Sequence, residues 1–383
     1  MKKGTILAVV VVVIIVVSGG VWMWLNSPSG PEVPEPTWTW TEMSPSAEPP
    51  ARNGNCFIYD AESDVTVLFG GDTGPGGVTL NDTWAYDYDQ DTWMNKTTDS
   101  GPPELSAFNV AYDSESDKII VFGGWYTPDG EAILHRGDTW AYDYNTNTWE
   151  NMNPAASPPM RRYSSTAYDS DSDRVIIFGG VLATGGTTGD TWAYDYNTNT
   201  WEEMNPTSKP SSRFYSLMAY DSESDKIILF SGAGLGMFTD TWAYDYNNDT
   251  WENMNPDDHG MGGAAQMAYD PVRDLCITFG GIDEDDDVYS ETWTYDYNTN
   301  TWSNLSINIC PCARERTYLT YNTESNVTLL FGGLGEDWYD SILGDTWSLD
   351  YEENGDMSTM IVANGWQWVL VAVVRENDNL HHN

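Results

Sequence analysis

Asp190-Thr-Trp-Ala-Tyr-Asp-Tyr-Asn-Thr-Asn-Thr-Trp-Glu-Glu-Met204 reads as two strands joined by a turn. In its first part Trp192, Tyr194 and Tyr196 alternate with Thr191, Ala193 and Asp195. That period of two sends aromatic groups to one face of a strand and small or polar groups to the other. Asn197-Thr198-Asn199 then supplies residues that tolerate left-handed backbone, so the chain reverses there, and Thr200–Met204 runs back as the second strand. Upstream, Arg174–Phe178 is apolar on both faces, as suits a strand sandwiched between layers. Ser164–Asp169 precedes it, and together these four strands make one antiparallel unit.

The unit recurs. An apolar run ends in a glycine pair at Gly70-Gly71, Gly123-Gly124, Gly179-Gly180, Gly280-Gly281 and Gly332-Gly333, with Ser231-Gly232 in the fourth copy. Asp-Thr-Trp begins at Asp82, Asp138, Asp190, Asp240 and Asp345, with Glu291 in the fifth copy. Thr-Trp ends at Trp93, Trp149, Trp201, Trp251 and Trp302. Successive Asp-Thr-Trp starts lie 56, 52, 50, 51 and 54 residues apart (138 − 82, 190 − 138, 240 − 190, 291 − 240, 345 − 291). A repeat of this size cannot bury its apolar face alone and must stack on its neighbours. No segment of the repeat shows sustained helical periodicity.

The sixth copy runs from Asp345–Asp350 into Glu352-Glu353-Asn354-Gly355-Asp356 with no Thr-Trp strand. An extra Trp38-Thr39-Trp40-Thr41-Glu42-Met43, similar in type to Thr200–Met204, stands before the first copy. The expectation is an all-β, six-bladed β-propeller of four-stranded antiparallel blades, closed by this N-terminal strand. Closure removes the exposed sheet edges of an open array. The alternative donor is Asn364–Val373, with Trp366 and Trp368.

Gly123-Gly124, Tyr142 and Trp149, and likewise Gly179-Gly180, Tyr194 and Trp201, resemble the marks of the kelch repeat. The resemblance covers about residues 38–351 and implies a kelch-type propeller. It speaks weakly about function, because common folds host many activities. Some kelch-type propellers are enzymes, including copper oxidases and sugar-acid epimerases. The fourth copy departs at Ser231-Gly232, which is expected to loosen that blade.

Lys2 and Lys3 precede an apolar stretch, Ile6 to Leu25, of a length that crosses a bilayer as a helix. Trp22 and Trp24 sit at its far end, where indoles prefer the interface. Residues 1–25 read as a transmembrane signal anchor or, alternatively, a cleaved signal peptide. Residues 26–37 form a Pro-rich linker, 38–351 the propeller and 352–383 a C-terminal tail. Either reading of the leader exports the propeller: as an anchor the N-terminal helix is its sole tie to the membrane, and as a cleaved signal it leaves the propeller secreted.

Lys+Arg is 16 and Asp+Glu 59, so net charge is 16 − 59 = −43. Nucleic acid is excluded as a partner, because binding phosphates needs cationic side chains. The 19 Trp and 23 Tyr exclude a disordered acidic chain.

Loops between strands b and c vary most, from Ala233–Thr239 to Trp125–Gly137, and variable loops on a rigid scaffold carry binding. Trp125 and Tyr126, and Trp338 and Tyr339, are therefore candidates for a protein or glycan ligand. Arg52, Arg161, Arg213 and Arg314 each lie seven residues before a strand-a tyrosine (Tyr59, Tyr168, Tyr220, Tyr321). They form either a basic ring for an anionic ligand or structural pairs with nearby Asp and backbone carbonyls. Asp283, Asp285 and Asp287 offer oxygen ligands for Ca²⁺, without the spacing of an EF-hand. No other cofactor is expected. Copper chemistry needs imidazoles, and only His135, His259, His381 and His382 are present. The expected function is a membrane-tethered extracellular module that binds a protein or glycan. A secreted carbohydrate-active enzyme of the galactose-oxidase-like kind is the alternative.

Overall fold

Strands form where the alternation places them. In blade 3, strand a is Ser165–Asp169, b Arg174–Phe178, c Thr191–Asp195 and d Thr200–Met204, hydrogen-bonded in that order. The computed structural model describes residues 37–352 other than 75–76, 129–131, 261 and 337–340. It also describes the backbone of Ile15–Val17, Gly20–Trp22, Met360–Asn364 and Gln367–Val371. Five blades share the a-b-c-d order, with strands a at Cys56–Asp60, Asn109–Asp113, Ser165–Asp169, Leu217–Asp221 and Met267–Asp270. The sixth takes a, b and c from Tyr318–Asn322, Val327–Gly335 and Ile342–Glu352, and its fourth strand is the N-terminal Thr37–Glu42. Met43 N–H also donates to the Thr346 carbonyl at 2.9 Å. The other proposed donor is engaged elsewhere: Met360–Asn364 pairs with Gln367–Val371.

Each strand a touches strand a of both neighbouring blades, blade 6 with blade 1 included, so the ring closes. The core is not one mass but six clusters, one between each pair of adjacent blades. The Thr-Trp tryptophan fills each, and its indole N–H reaches back to the preceding blade's Asp-Thr-Trp threonine. The pairs are Trp149 to Thr83, Trp201 to Thr139, Trp251 to Thr191, Trp302 to Thr241, Trp40 to Thr292 and Trp93 to Thr346, at 2.9–3.4 Å. Burying one large aromatic ring removes roughly 150–250 Å² from water, a gross gain of roughly 4–6 kcal/mol at about 25 cal/mol per Å².

The compact unit runs Trp38–Tyr351; residues 1–37 and 352–383 form a separate one. No helix occurs among the described residues, and none is long and apolar enough to cross a membrane. The N-terminal transmembrane helix thus lacks support. Its stretch lies outside the described residues except Ile15–Val17 and Gly20–Trp22, which pair as antiparallel strands.

Candidate binding face

The b–c and d–a connections share one face, and there each blade raises a short rim. The chain entering strand a pairs with the chain leaving strand b just past the glycine pair. Arg161–Arg162 pairs with Val181–Leu182 and Arg314–Glu315 with Leu334–Gly335, while single bridges join Ser106 to Trp125 and Phe214 to Ala233. The glycine pair permits this crossing. Gly124 has φ +94°, and a Cβ there would meet the Ser106 carbonyl at 2.8 Å. Ser231 takes the first place of that pair in blade 4 at φ 59°. It does not loosen the blade: it is buried, and its hydroxyl donates to the Phe238 carbonyl at 2.9 Å.

The four arginines are fully buried struts inside their own blades. Arg161 donates through Nη1 and Nη2 to both carboxylate oxygens of Asp190 at 2.7 Å, and also to the carbonyls of Gly179 and Pro159. Arg52 with Asp82, Arg213 with Asp240 and Arg314 with Asp345 repeat the geometry. Burial alone would raise these aspartates, but the arginine hydrogen bonds and charge outweigh it and hold Asp82, Asp190, Asp240 and Asp345 below the usual carboxylate range. The guanidinium groups are thereby committed to protein acceptors.

Trp125 and Tyr126 lie on the rim, half-buried, in a two-residue strand paired with Leu134–His135. The Arg136 guanidinium covers the Tyr126 ring at 4.2 Å. Trp338 and Tyr339 fall outside the described residues. Asp283 is engaged at both oxygens: Oδ1 accepts from the backbone N–H of Asp285 and Asp287, and Oδ2 from the Tyr289 hydroxyl. Asp285 and Asp287 are exposed, and among the described residues no three His, Cys, Asp or Glu are grouped to hold a metal.

Sequence reasoning missed the channel mouth. Two residues beyond the arginine register, Gly54, Ala107, Tyr163, Tyr215, Ala264 and Arg316 all adopt left-handed φ between 51° and 63°. Their amides link around the axis, Ala107 to Gly54, Tyr163 to Ala107, Tyr215 to Tyr163 and Ala264 to Tyr215, at 2.8–3.1 Å. Bulky residues in this conformation cost of order 1–3 kcal/mol each and persist only where surroundings enforce them. The Tyr163 and Tyr215 rings pack at 4.4 Å, and Arg316 lies over both. Behind them is a cavity of about 70 Å³; a second, of about 320 Å³, lies toward the opposite face. Counting two residues past each arginine reaches four of the six positions, Gly54, Tyr163, Tyr215 and Arg316, but carries no sign of their backbone conformation.

Arg162 donates to His135 Nε2 at 2.9 Å, since guanidinium has no acceptor. Burial and then the Arg162 charge both lower the His135 pKa, favouring the neutral ring. Exposed large apolar residues gather on the same face: Val78, Ile133, Leu134, Met160, Leu235 and Ile309. Among the described residues only Met94 and Val272 lie elsewhere. The opposite face carries Asp-rich turns such as Asp113–Asp117 and Asp169–Asp173.

Six sheets joined through glycine-pair crossings and Trp–Thr ties define a kelch-type β-propeller. The comparisons agree: residues 34–211 match the family model "KLHDC2/KLHL20/DRC7 Kelch-repeats domain", and residues 126–333 match "Attractin/LZTR1 beta-propeller". The chain belongs to the kelch-repeat β-propellers. It is also similar to the flagellar outer arm dynein alpha chain of Chlamydomonas reinhardtii, 25% identical over 343 residues. That match covers 81% of this chain and spans 7% of the relative's length.

Proposed function

We propose that this propeller docks a protein partner on its b–c/d–a face. The placement of the exposed Val78, Ile133, Leu134, Met160, Leu235 and Ile309 on one face of a chain with net charge −43 carries the reading. Exposed apolar groups confined largely to one face make that face the better suited to a partner. Kelch propellers generally serve as interaction modules, and in the dynein relative the similar stretch is a small part of a much longer chain. Protein is favoured over glycan because the exposed groups are aliphatic, while Tyr126 is already covered by Arg136.

The test compares affinity enrichment by the native chain with two variants. Val78→Ser/Leu235→Ser/Ile309→Ser alters the rim, and Asp171→Asn/Glu223→Gln alters the acidic face. Bound proteins are expected to persist with the acidic-face variant and disappear with the rim variant. Loss with the acidic-face variant alone would reverse the assignment. The lysines and apolar run at residues 2–25 support tethering outside a membrane, which protease access in intact cells checks.

A further inference from the structure

Blade 5 breaks the arginine rule in a way no other blade does. In blades 1, 3, 4 and 6 a buried guanidinium lies between the first Asp-Thr-Trp carboxylate, the carbonyl at the start of the glycine pair and the carbonyl two residues before the arginine. In blade 2, Leu105 stands at the arginine position and is buried in the core, while Asp138 turns to solvent, its side chain 45% exposed. In blade 5 the position is Gly262, seven residues before Tyr269. The Gly263–Ile282 bridge matches Phe214–Ala233 in blade 4 and confirms the register.

Among the described residues of this blade, none replaces the missing guanidinium. The carboxylate is Glu291, and its Oε2 is buried without a hydrogen-bond partner. The Trp293 indole N–H is likewise buried without one; in blades 1, 3, 4 and 6 the equivalent indole donates to the aspartate at 2.7–2.8 Å. A cavity of about 410 Å³ opens beside Gly262 between the b–c loops of blades 4 and 5, lined by Phe238, Thr239, His259, Gly260, Asp283 and Tyr289 among others; Glu291 and Trp293 are outside this lining, Glu291 close enough for its charge to act on Tyr289. A side chain at position 262 itself is obstructed. Gly262 has φ +70°, and a Cβ there would meet the Ile282 amide nitrogen at 2.8 Å. The hydrogen bond from Tyr289 to Asp283, with the charges of Asp283, Asp287 and Glu291, raises Tyr289 to about 12, which marks the cavity wall as anionic.

We propose that this blade-5 socket binds a guanidinium group supplied in trans, the arginine side chain of a protein docked on the face. This rests on the protein-docking reading above. The sister blades show the chemistry the socket takes: a planar cation held by carboxylate and carbonyl oxygens. Glu291, one methylene longer than aspartate, meets a group arriving from outside the blade.

Titration of the full chain with Nα-acetyl-L-arginine methylamide tests the socket without any protein partner. It is followed by calorimetry and by the Trp293 indole N–H resonance. Saturable one-site binding that moves Trp293 is expected. The neutral citrulline analogue should bind at least tenfold more weakly. Glu291→Gln should weaken arginine at least tenfold, and so should Thr239→Trp, an exposed position where the ring plugs the cavity whether or not Glu291→Gln folds. Asp138→Asn should leave affinity unchanged. Absence of a Trp293 shift, or equal binding by arginine and citrulline analogues or by the plugged variant, overturns the proposal as diffuse attraction to an acidic surface. If arginine saturates the socket while rim substitutions spare every bound protein, only the docked-protein source of the guanidinium falls.

Discussion

Trp201 of blade 3 donates its indole N–H to the Thr139 hydroxyl of blade 2 across 3.0 Å, with both residues buried. Each of these six ties joins the outer strand of one blade to the third strand of the one before, so blades share donors and acceptors as well as apolar surface. Thr139→Val keeps the side-chain shape but strands the indole N–H, a loss of about 1–3 kcal/mol. Urea unfolding should show a lower midpoint with an unchanged slope. Trp201→Phe/Thr139→Val should recover part of that loss, because donor and acceptor vanish together. An unchanged midpoint for Thr139→Val would refute the tie.

The Arg161–Asp190 strut makes a sharper demand. Arg161 is fully buried, so Asp190→Asn leaves its charge without a carboxylate and also weakens the acceptor of Trp192. Breaking one half of a buried pair costs about 3–5 kcal/mol. Arg161→Met/Asp190→Asn should be milder than the sum of its singles, and a double-mutant cycle in urea measures the coupling. Additive effects would mean the guanidinium stabilises its blade through packing alone.

The third strand of each blade was legible because Trp192, Tyr194 and their counterparts alternate with a period only a strand satisfies. Closure was legible because Trp40 was in excess where a sixth Trp was missing. The arginine register was visible, but its direction was not. Spacing places Arg161 seven residues before Tyr168, yet whether it turns to the channel or into the blade depends on Asp190, 29 residues on. The channel cap was hidden for a related reason: left-handed backbone at Tyr163, Tyr215 and Arg316 is imposed by the amide ring, and nothing local announces it. At blade 5 the acidic run Asp283–Asp287 is plain in the sequence, whereas the glycine at position 262 stands out only once the Gly263–Ile282 bridge fixes the register.

Stability should peak in mild acid. Asp60, Asp113, Asp169 and Asp221 are raised, first by burial and then by neighbouring carboxylates such as Asp117 and Asp173. A group whose folded pKa is raised binds protons in the folded state before the unfolded chain does. Stability therefore rises as pH falls from their folded values toward about 3.9, the unfolded carboxylate value. Asp82, Asp190, Asp240 and Asp345 are lowered, so their contribution is complete above about 3.9 and is lost as pH falls further. Melting temperature should climb from pH 7 into mild acid and then drop. Asp169→Asn should flatten the climb, since its amide oxygen can still accept from the Ser172 N–H. A steady decline from pH 7 downward would contradict the account.

Removing residues 1–43 tests closure. The deletion takes away the strand beside Ile342–Glu352 and with it Trp40, which packs on Phe279 at 5.3 Å and donates to Thr292 at 2.9 Å. An unpaired third strand in blade 6 presents a row of free backbone groups, a template for pairing with another chain. Losing a buried tryptophan alone costs about 3–5 kcal/mol. The shortened chain should melt earlier and elute as a larger species. A synthetic Thr37–Met43 peptide should restore both properties by adding back as a strand, whereas a peptide with Trp40→Ala should not. If the shortened chain elutes as the full chain does with an unchanged melt, blade 6 is complete without its N-terminal strand, and the shared sheet is not what holds the ring closed.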